Sequence, residues 1–221
     1  MNRQQLDVDA ILATYDLHKP SLERWAEEVA GWLRDNSTIR QMQPILIKHR
    51  LKDRIRLADK IYRKYDFDHR PISPASLLEE VEDLAGVRLV VAHKRQVMGS
   101  VKAVEALAAT GAWEIVNEDH YVWHPEERMQ LIEDGQDPQS KESAYCSRHF
   151  ILEKPRFEWA PVLPTRCELQ IRTVLEEAIF ENDHRLRYSG HPGPDLTILT
   201  RLAEMLEVAD QMLSDAYEKC N

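Results

Sequence analysis

Glycine is scarce in this chain, with 7 residues in 221. That leaves little material for a phosphate cradle of backbone N–H groups, and neither Gly-x-x-x-x-Gly-Lys-Ser/Thr nor Gly-x-Gly-x-x-Gly occurs. The nucleophile elbow Gly-x-Ser-x-Gly and the metalloprotease pattern His-Glu-x-x-His are missing too. Cysteine is sparser still. Cys146, Cys167 and Cys220 are odd in number and never in Cys-x-x-Cys spacing, which argues against a disulfide framework or zinc site and fits a reducing cytoplasm. No apolar run nears the roughly 20 residues that cross a bilayer. The opening Met-Asn-Arg-Gln-Gln-Leu-Asp is polar and lacks the apolar segment of a signal peptide, so no membrane partner is expected. Positive charge is in deficit, with 29 Lys and Arg against 38 Asp and Glu. The resulting net charge of −9 speaks against broad nucleic-acid binding, DNA included.

The positive charge that is present is gathered. Between 44 and 65 stand Lys48, Arg50, Lys52, Arg54, Arg56, Lys60, Arg63 and Lys64 against only Asp53 and Asp59, eight minus two or +6. Such a run is commonly a solvated face, but in an acidic chain without glycine loops it is also how side chains would build a polyphosphate pocket. Residues 45–52 alternate like a strand. From 53 onward Ile55, Ala58, Ile61, Tyr62 and Tyr65 read as a helix.

The period-two signal is clearest at 166–173. Cys167, Leu169 and Ile171 alternate with Glu168, Gln170 and Arg172, giving a strand with one apolar face and one row of carboxylate, amide and guanidinium. At 144–152 Tyr145, Ser147 and His149 share a face opposite Cys146, Arg148 and Phe150. Asp83 precedes the apolar run Val87–Val91, which reads as a buried strand entered through Gly86 after a short helix capped by Ser76, with Glu79 at the capping-box position. Asp83 and Glu168, on neighbouring strands, could hold Mg²⁺ against phosphates, since Mg²⁺ takes one or two carboxylates and completes its shell with phosphate oxygens and water. Basic residues, two carboxylates and Tyr145 beside His149 together point to phosphoryl or nucleotidyl transfer.

The remaining elements frame these. A short helix at 6–17 is expected to stop at Pro20. A second runs from an N-cap at Ser21 to Asn36, with Leu22, Trp25, Ala26, Val29, Trp32 and Leu33 as its apolar stripe. A helix at 96–111 ends at Gly111, and Trp113–Val116 resembles an outer strand. Residues 123–141 read as a long exposed loop, and 174–187 as a helix broken by His191-Pro192-Gly193-Pro194. Leu196 to Leu213 form a long amphipathic helix that suggests a contact between copies.

From Ile45 to Tyr188, about two-thirds of the chain, these pieces resemble the synthetase domain of the RelA/SpoT-type alarmone synthetases in its small, single-domain form. Arg50-x-Lys52 followed by Arg56 and Lys60 is similar to the family's ATP-binding strand and helix. Asp83-Leu84-Ala85-Gly86-Val87-Arg88 is similar to its magnesium strand, and Tyr145-x-Ser147-x-His149 to its acceptor strand. Glu168-Leu169-Gln170-Ile171-Arg172-Thr173 is similar to Glu-x-Gln-x-Arg-Thr, and His184-x-Leu186-x-Tyr188 to the closing helix. Ser143-Ala144 stand where the family has Asn-Gly, and Cys146 where it has a basic residue, with Arg148 two places on.

The resemblance implies an α+β (mixed α/β) fold, a nucleotidyltransferase-like central mixed sheet flanked by helices. One domain would span 1–221, with N-terminal helices over 1–43, a catalytic core over 44–190 and a C-terminal helix over 194–219. It implies transfer of pyrophosphate from ATP to the 3′-hydroxyl of GDP or GTP, with Mg²⁺ on Asp83 and Glu168. Arg50, Lys52, Arg56, Lys60 and Arg88 would hold ATP, and Tyr145, Ser147, His149, Gln170 and Arg172 the acceptor. Glu168 would act on the hydroxyl. A cytoplasmic homo-oligomer, as a tetramer, is implied as well. An adenosine nucleotide or a tRNA 3′ end as acceptor, and a nucleotide-binding regulator of weak activity, stay open as alternatives.

Overall fold

The computed structural model describes residues 6–67, 72–122, 125–140, 146–155, 165–188 and 196–220, without the side chains of 183–188, 196, 199 and 220. Tyr145, Ser143, Ala144 and the 191–194 break lie outside the described residues, as do the side chains of His184 and Tyr188.

One helix rather than two opens the fold. α1 (Val8–Asp35) runs through Pro20 without a break. Proline inside a helix costs about 3 kcal/mol through a lost N–H bond and a clash with the preceding turn. Local side chains take up carbonyls around it: His18 Nδ1 lies 2.8 Å from the Thr14 carbonyl and Ser21 Oγ donates to that of His18 at 2.8 Å. The buried stripe decides the outcome, because Ile11, Leu12 and Tyr15 before Pro20 and Leu22, Trp25, Ala26, Val29, Ala30 and Leu33 after it line one continuous face. Asn36 ends α1 as expected. It also caps α2 (Ser37–Met42), its side chain accepting from Ile39 N.

Five strands form one mixed sheet in the order β1-β2-β5-β4-β3. These are β1 (Leu46–Leu51), β2 (Ala85–Val91), β3 (Glu114–Tyr121), β4 (Ser147–Glu153) and β5 (Arg166–Thr173). β2 and β5 are parallel, and every other neighbouring pair is antiparallel. Gly86 belongs to β2 rather than to a helix exit. It pairs with Arg50 on one side and Glu168 on the other. The register divides the sheet into two faces. Val87, Leu89, Cys167, Leu169, Ile171, Phe150 and Leu152 share one and are buried. Lys48, Arg50, Arg88, Glu168, Gln170, Ser147 and His149 share the other.

α1 and α5 (Lys94–Ala109) cover the apolar face. Trp25 seals it, with 2% of its surface exposed and Nε1 donating to the Leu152 carbonyl at 3.2 Å. α5 ends through Thr110 with Gly111 at φ +82°, the left-handed exit that glycine adopts without strain. α3 (Arg54–Asp66) is capped by Asp53 and buries Leu57 and Ile61, whereas Ile55 and Tyr62, expected on its apolar stripe, are exposed. In α4 (Leu77–Glu80) the expected capping box does not form. Ser76 makes no side-chain cap, its hydroxyl bonding Ser73 instead.

The expected long loop contains a helix, α6 (Pro125–Glu133), which starts on a proline, whose fixed φ suits a first helical position, and carries Glu126 and Glu127 in its first turn. α7 (Val174–Tyr188) leaves β5 directly, and α8 (Leu196–Cys220) packs on α7 and α5. The buried positions of α8 include Ala203, Asp210 and Ser214, while Ile198, Met205, Val208 and Met212 are exposed. Its apolar stripe therefore points largely away from the body.

Candidate active site

The polar face is built by alternation on three adjacent strands. β5 supplies Glu168, Gln170 and Arg172; β2 supplies Arg88; β4 supplies Ser147 and His149. At the sheet edge β1 presents Lys48 and Arg50 exposed. Gly86, between Arg50 and Glu168, has no side chain to fill the gap, and a Cβ there would stand 3.9 Å from the Arg50 side chain.

Asp83 lies in the turn entering β2 rather than on the strand itself. Lys52 N donates to the Leu84 carbonyl at 2.8 Å, which ties the end of β1 to that turn. Both carboxylate oxygens of Asp83 are engaged, one by Lys52 Nζ at 2.5 Å and the other by Lys60 Nζ at 2.8 Å. Burial alone would raise its pKa, but the Lys60 and Lys52 ammoniums outweigh burial and hold it down to about 2.

Glu168 is held differently. His149 Nδ1 lies 3.0 Å from one oxygen and Gln170 Nε2 donates to the other at 2.7 Å. A carboxylate only accepts, so Nδ1 carries the hydrogen. Burial pushes the Glu168 pKa up. The His149 hydrogen bond and charge more than offset this, and the net direction is below the ordinary value although Asp83 raises it.

α7 closes one end of the face. Arg88 Nη1 donates to Glu177 at 2.5 Å and Glu181 at 2.7 Å. Burial would lower the Arg88 pKa, and these two carboxylates turn the direction upward. Arg172 is fully buried, donating to Gln170 at 2.7 Å and Glu177 at 3.3 Å with its guanidinium 4.3 Å from the centre of the Phe180 ring. Behind this end, Thr173 Oγ1 donates to Asp210 of α8 at 2.5 Å and Thr173 N to Glu176 at 2.7 Å. Burial raises the Glu176 pKa to about 7. Lys94 bridges Glu127 at 2.7 Å and Glu207 at 2.5 Å.

The structure thus gathers Arg50, Lys52, Lys60, Asp83, Arg88, Glu168, Gln170, Arg172, Ser147 and His149 around one sheet face and its β1 end, with Arg56 on α3 beside them. Ser147 spends its hydroxyl on the Ile171 carbonyl at 3.3 Å. Tyr145 lies outside the described residues. Arg148 does not stand in for a basic residue on this face, because it lies on the opposite one, where it donates to Glu118 and, at 2.7 Å, to His120. Sequence reasoning missed Glu177, Phe180 and Glu181, although their i, i+3, i+4 spacing marks one side of α7.

The fold is a mixed sheet with one polar, charged face, and comparison with known proteins gives the family. The sequence pattern described as "Region found in RelA / SpoT proteins" matches residues 49–192, well over half the chain, and the chain belongs to that family. Among solved structures, the small alarmone synthetase 1 from Bacillus subtilis bound to its product pppGpp is similar at 21% identity and TM-score 0.64, over 90% of this chain and 93% of that one. A GTP pyrophosphokinase family protein from Streptococcus pneumoniae is similar at 19% identity and TM-score 0.65, over 93% of each chain. The small alarmone synthetase 2 from Bacillus subtilis is similar at 18% identity and TM-score 0.60, over 94% of this chain and 97% of that one. At these identities the likeness carries the fold. A comparison with curated proteins gave no match.

Proposed function

We propose that this chain transfers the β,γ-pyrophosphate of ATP to the 3′-hydroxyl of a guanosine nucleotide, GDP or GTP, releasing AMP. The observation that carries this reading is the pairing of Arg50, Gly86 and Glu168 across adjacent strands, which puts the basic edge next to a half-buried carboxylate on one polar face. In the reaction the 3′ oxygen bonds to the β-phosphorus while the bond from that phosphorus to the α,β-bridging oxygen breaks. AMP departs with the bridging oxygen and its electron pair. Arg50, Lys52, Arg56 and Lys60, with Lys48 at the sheet edge, supply positive charge along the polyphosphate, where transfer of this kind is dominated by positioning and electrostatics. The charge of Arg88 is already met by Glu177 and Glu181. Glu168, ionised at neutral pH and steadied by His149 and Gln170, accepts the hydroxyl proton as the new bond forms.

The donor set fits Mg²⁺. Asp83 and Glu168 come from adjoining segments close enough for the Asp83 charge to act on Glu168, and Mg²⁺ takes one or two protein carboxylates. Among the described residues no group of three or more His, Cys, Asp or Glu offers a cage for zinc. When bound, Mg²⁺ supplies charge neutralisation to phosphate oxygens. Lys52 and Lys60, whose ammoniums engage Asp83, would stand beside bound phosphate.

Thin-layer separation of the products from γ-labelled ATP with GDP, GTP, ADP, ATP or deacylated tRNA tests the reading. Labelled product with GDP or GTP, lost in Asp83→Ala and Glu168→Ala, is expected. Transfer only to an adenosine nucleotide or to tRNA would replace the acceptor, and ATP binding without transfer would leave a regulator. Self-association through the exposed row Ile198, Met205, Val208 and Met212 is part of the proposal, with light scattering as its check.

A further inference from the structure

β3 carries one residue more than β4 at a single point. Ile115 pairs with Leu152, yet Asn117 pairs with Ile151, so Val116 is an extra residue in a β-bulge. A bulge resets the alternation of side chains. Ile115 lies on the apolar face with Leu152, and without the extra residue Asn117, Asp119 and Tyr121 would follow it there. With the bulge they share the polar face: Asp119 pairs with His149 and Tyr121 with Ser147. The Tyr121 ring sits edge-on to His149, centroids 5.0 Å apart, and His149 is the residue that holds Glu168. Asn117 Nδ2 at 3.3 Å and the Tyr121 hydroxyl at 3.4 Å both reach Asp119 Oδ2 and orient the carboxylate.

Resting on the guanosine-acceptor reading above, we infer that Asp119 reads the base of the acceptor and selects guanine, with Tyr121 beside it. Two strand spacings and two residues of strand rise separate Asp119 from Glu168, about 12 Å between Cα atoms. With both side chains reaching inward, that interval suits one nucleoside, its 3′-hydroxyl at Glu168 and its base edge at Asp119. Charge sets the direction. Lys48 and Arg50 stand exposed on β1 at the far edge and draw phosphate there, whereas an acidic group on β3 repels it. A carboxylate offers two oxygens that only accept. Guanine presents adjacent donors, N1–H and the N2 amino group, which match it. Adenine sets an N1 acceptor beside its amino donor and mismatches it.

The test is equilibrium binding and transfer with GDP, IDP, XDP and ADP. Wild type is expected to bind GDP at least about tenfold more tightly than IDP, which lacks the N2 amino group, and more tightly than ADP, the loss of a hydrogen bond to a charged group being worth about that much. In Asp119→Asn the new amide donates to the xanthine O2 and its oxygen accepts from N1–H, so preference should pass from GDP to XDP. Asp119→Ala should lose GDP without gaining XDP. Thermal melting and ATP affinity report whether each variant is folded, and the GDP–IDP comparison needs no variant at all. Wild type indifferent to the N2 amino group, or Asp119→Asn still preferring GDP to XDP, would overturn the inference. GDP bound through Asp119 with no pyrophosphate transfer would overturn the transfer reading and support this one. No binding of GDP would overturn both.

Discussion

The two faces of the sheet come from the same strands and obey different economies. On one, Leu169, Ile171, Phe150 and Leu152 are sealed under α1 and α5, and shape and apolar area decide the fit. On the other, one residue along in each case, His149, Glu168, Gln170 and Arg172 are chained by hydrogen bonds, and Arg88 is held by Glu177 of α7. Stability and chemistry are therefore interleaved at single-residue spacing. Substitutions at neighbouring positions should separate them.

The largest effect is expected for Glu168→Gln. Transfer should fall about 10²–10⁴-fold, the contribution of a positioned acid–base group, with melting little changed. A loss of fold instead would mean that the polar face is structural. Next, Leu169→Ala should destabilise by roughly 2–5 kcal/mol in denaturant titration, while the folded fraction keeps its activity. Third, the end of the polar face should respond to pH. Glu176 has a folded pKa of about 7 against an ordinary 4.5, so the folded state binds the extra proton more tightly. Its contribution to stability is fully present below about 4.5 and is lost as pH rises through about 7, and melting temperature should decline over that window. Glu176→Gln should flatten the decline. Asp83 runs the other way, its contribution present above 3.8 and lost as pH falls towards about 2. The smallest effect on stability is expected for Met205→Glu with Met212→Glu, within about 0.5 kcal/mol as for exposed sites, although light scattering should show weaker self-association.

The same contrast explains what the sequence made legible. Strands with one apolar face announced themselves through period two, so β5 and the sorting of β4 into Ser147 and His149 against Arg148 and Phe150 agree with the register. Spacing could not show Val116 as a bulge, because the two registers that it joins differ only in pairing with β4. Pro20 misled because its cost is local, whereas the stripe that outweighs it runs the length of α1. On α8 the apolar residues were read correctly as a stripe. Their direction was not legible, since Asp210 faces inward for the sake of Thr173. Arg88 and Arg172 were visible as cations, but not their neutralisation by Glu177, which required the path of α7 across the sheet.

The parallel pairing of β2 with β5 carries a consequence for how the molecule comes into being. β2 meets β5 only after α5, β3, α6 and β4 have been threaded between them. Such long-range parallel contacts form slowly, because the closure entropy is met before the contacts reward it. The antiparallel β1–β2 pair, with α3 and α4 between its strands and Lys52, Lys60 and Asp83 beside it, draws on nearer segments and can form while Glu168 is still elsewhere. On refolding, helical signal should return well before pyrophosphate transfer does. A chain halted on the ribosome before Arg166 would present β2 and β4 as two open edges, inviting other strands. Activity, in this architecture, reports the last step of assembly.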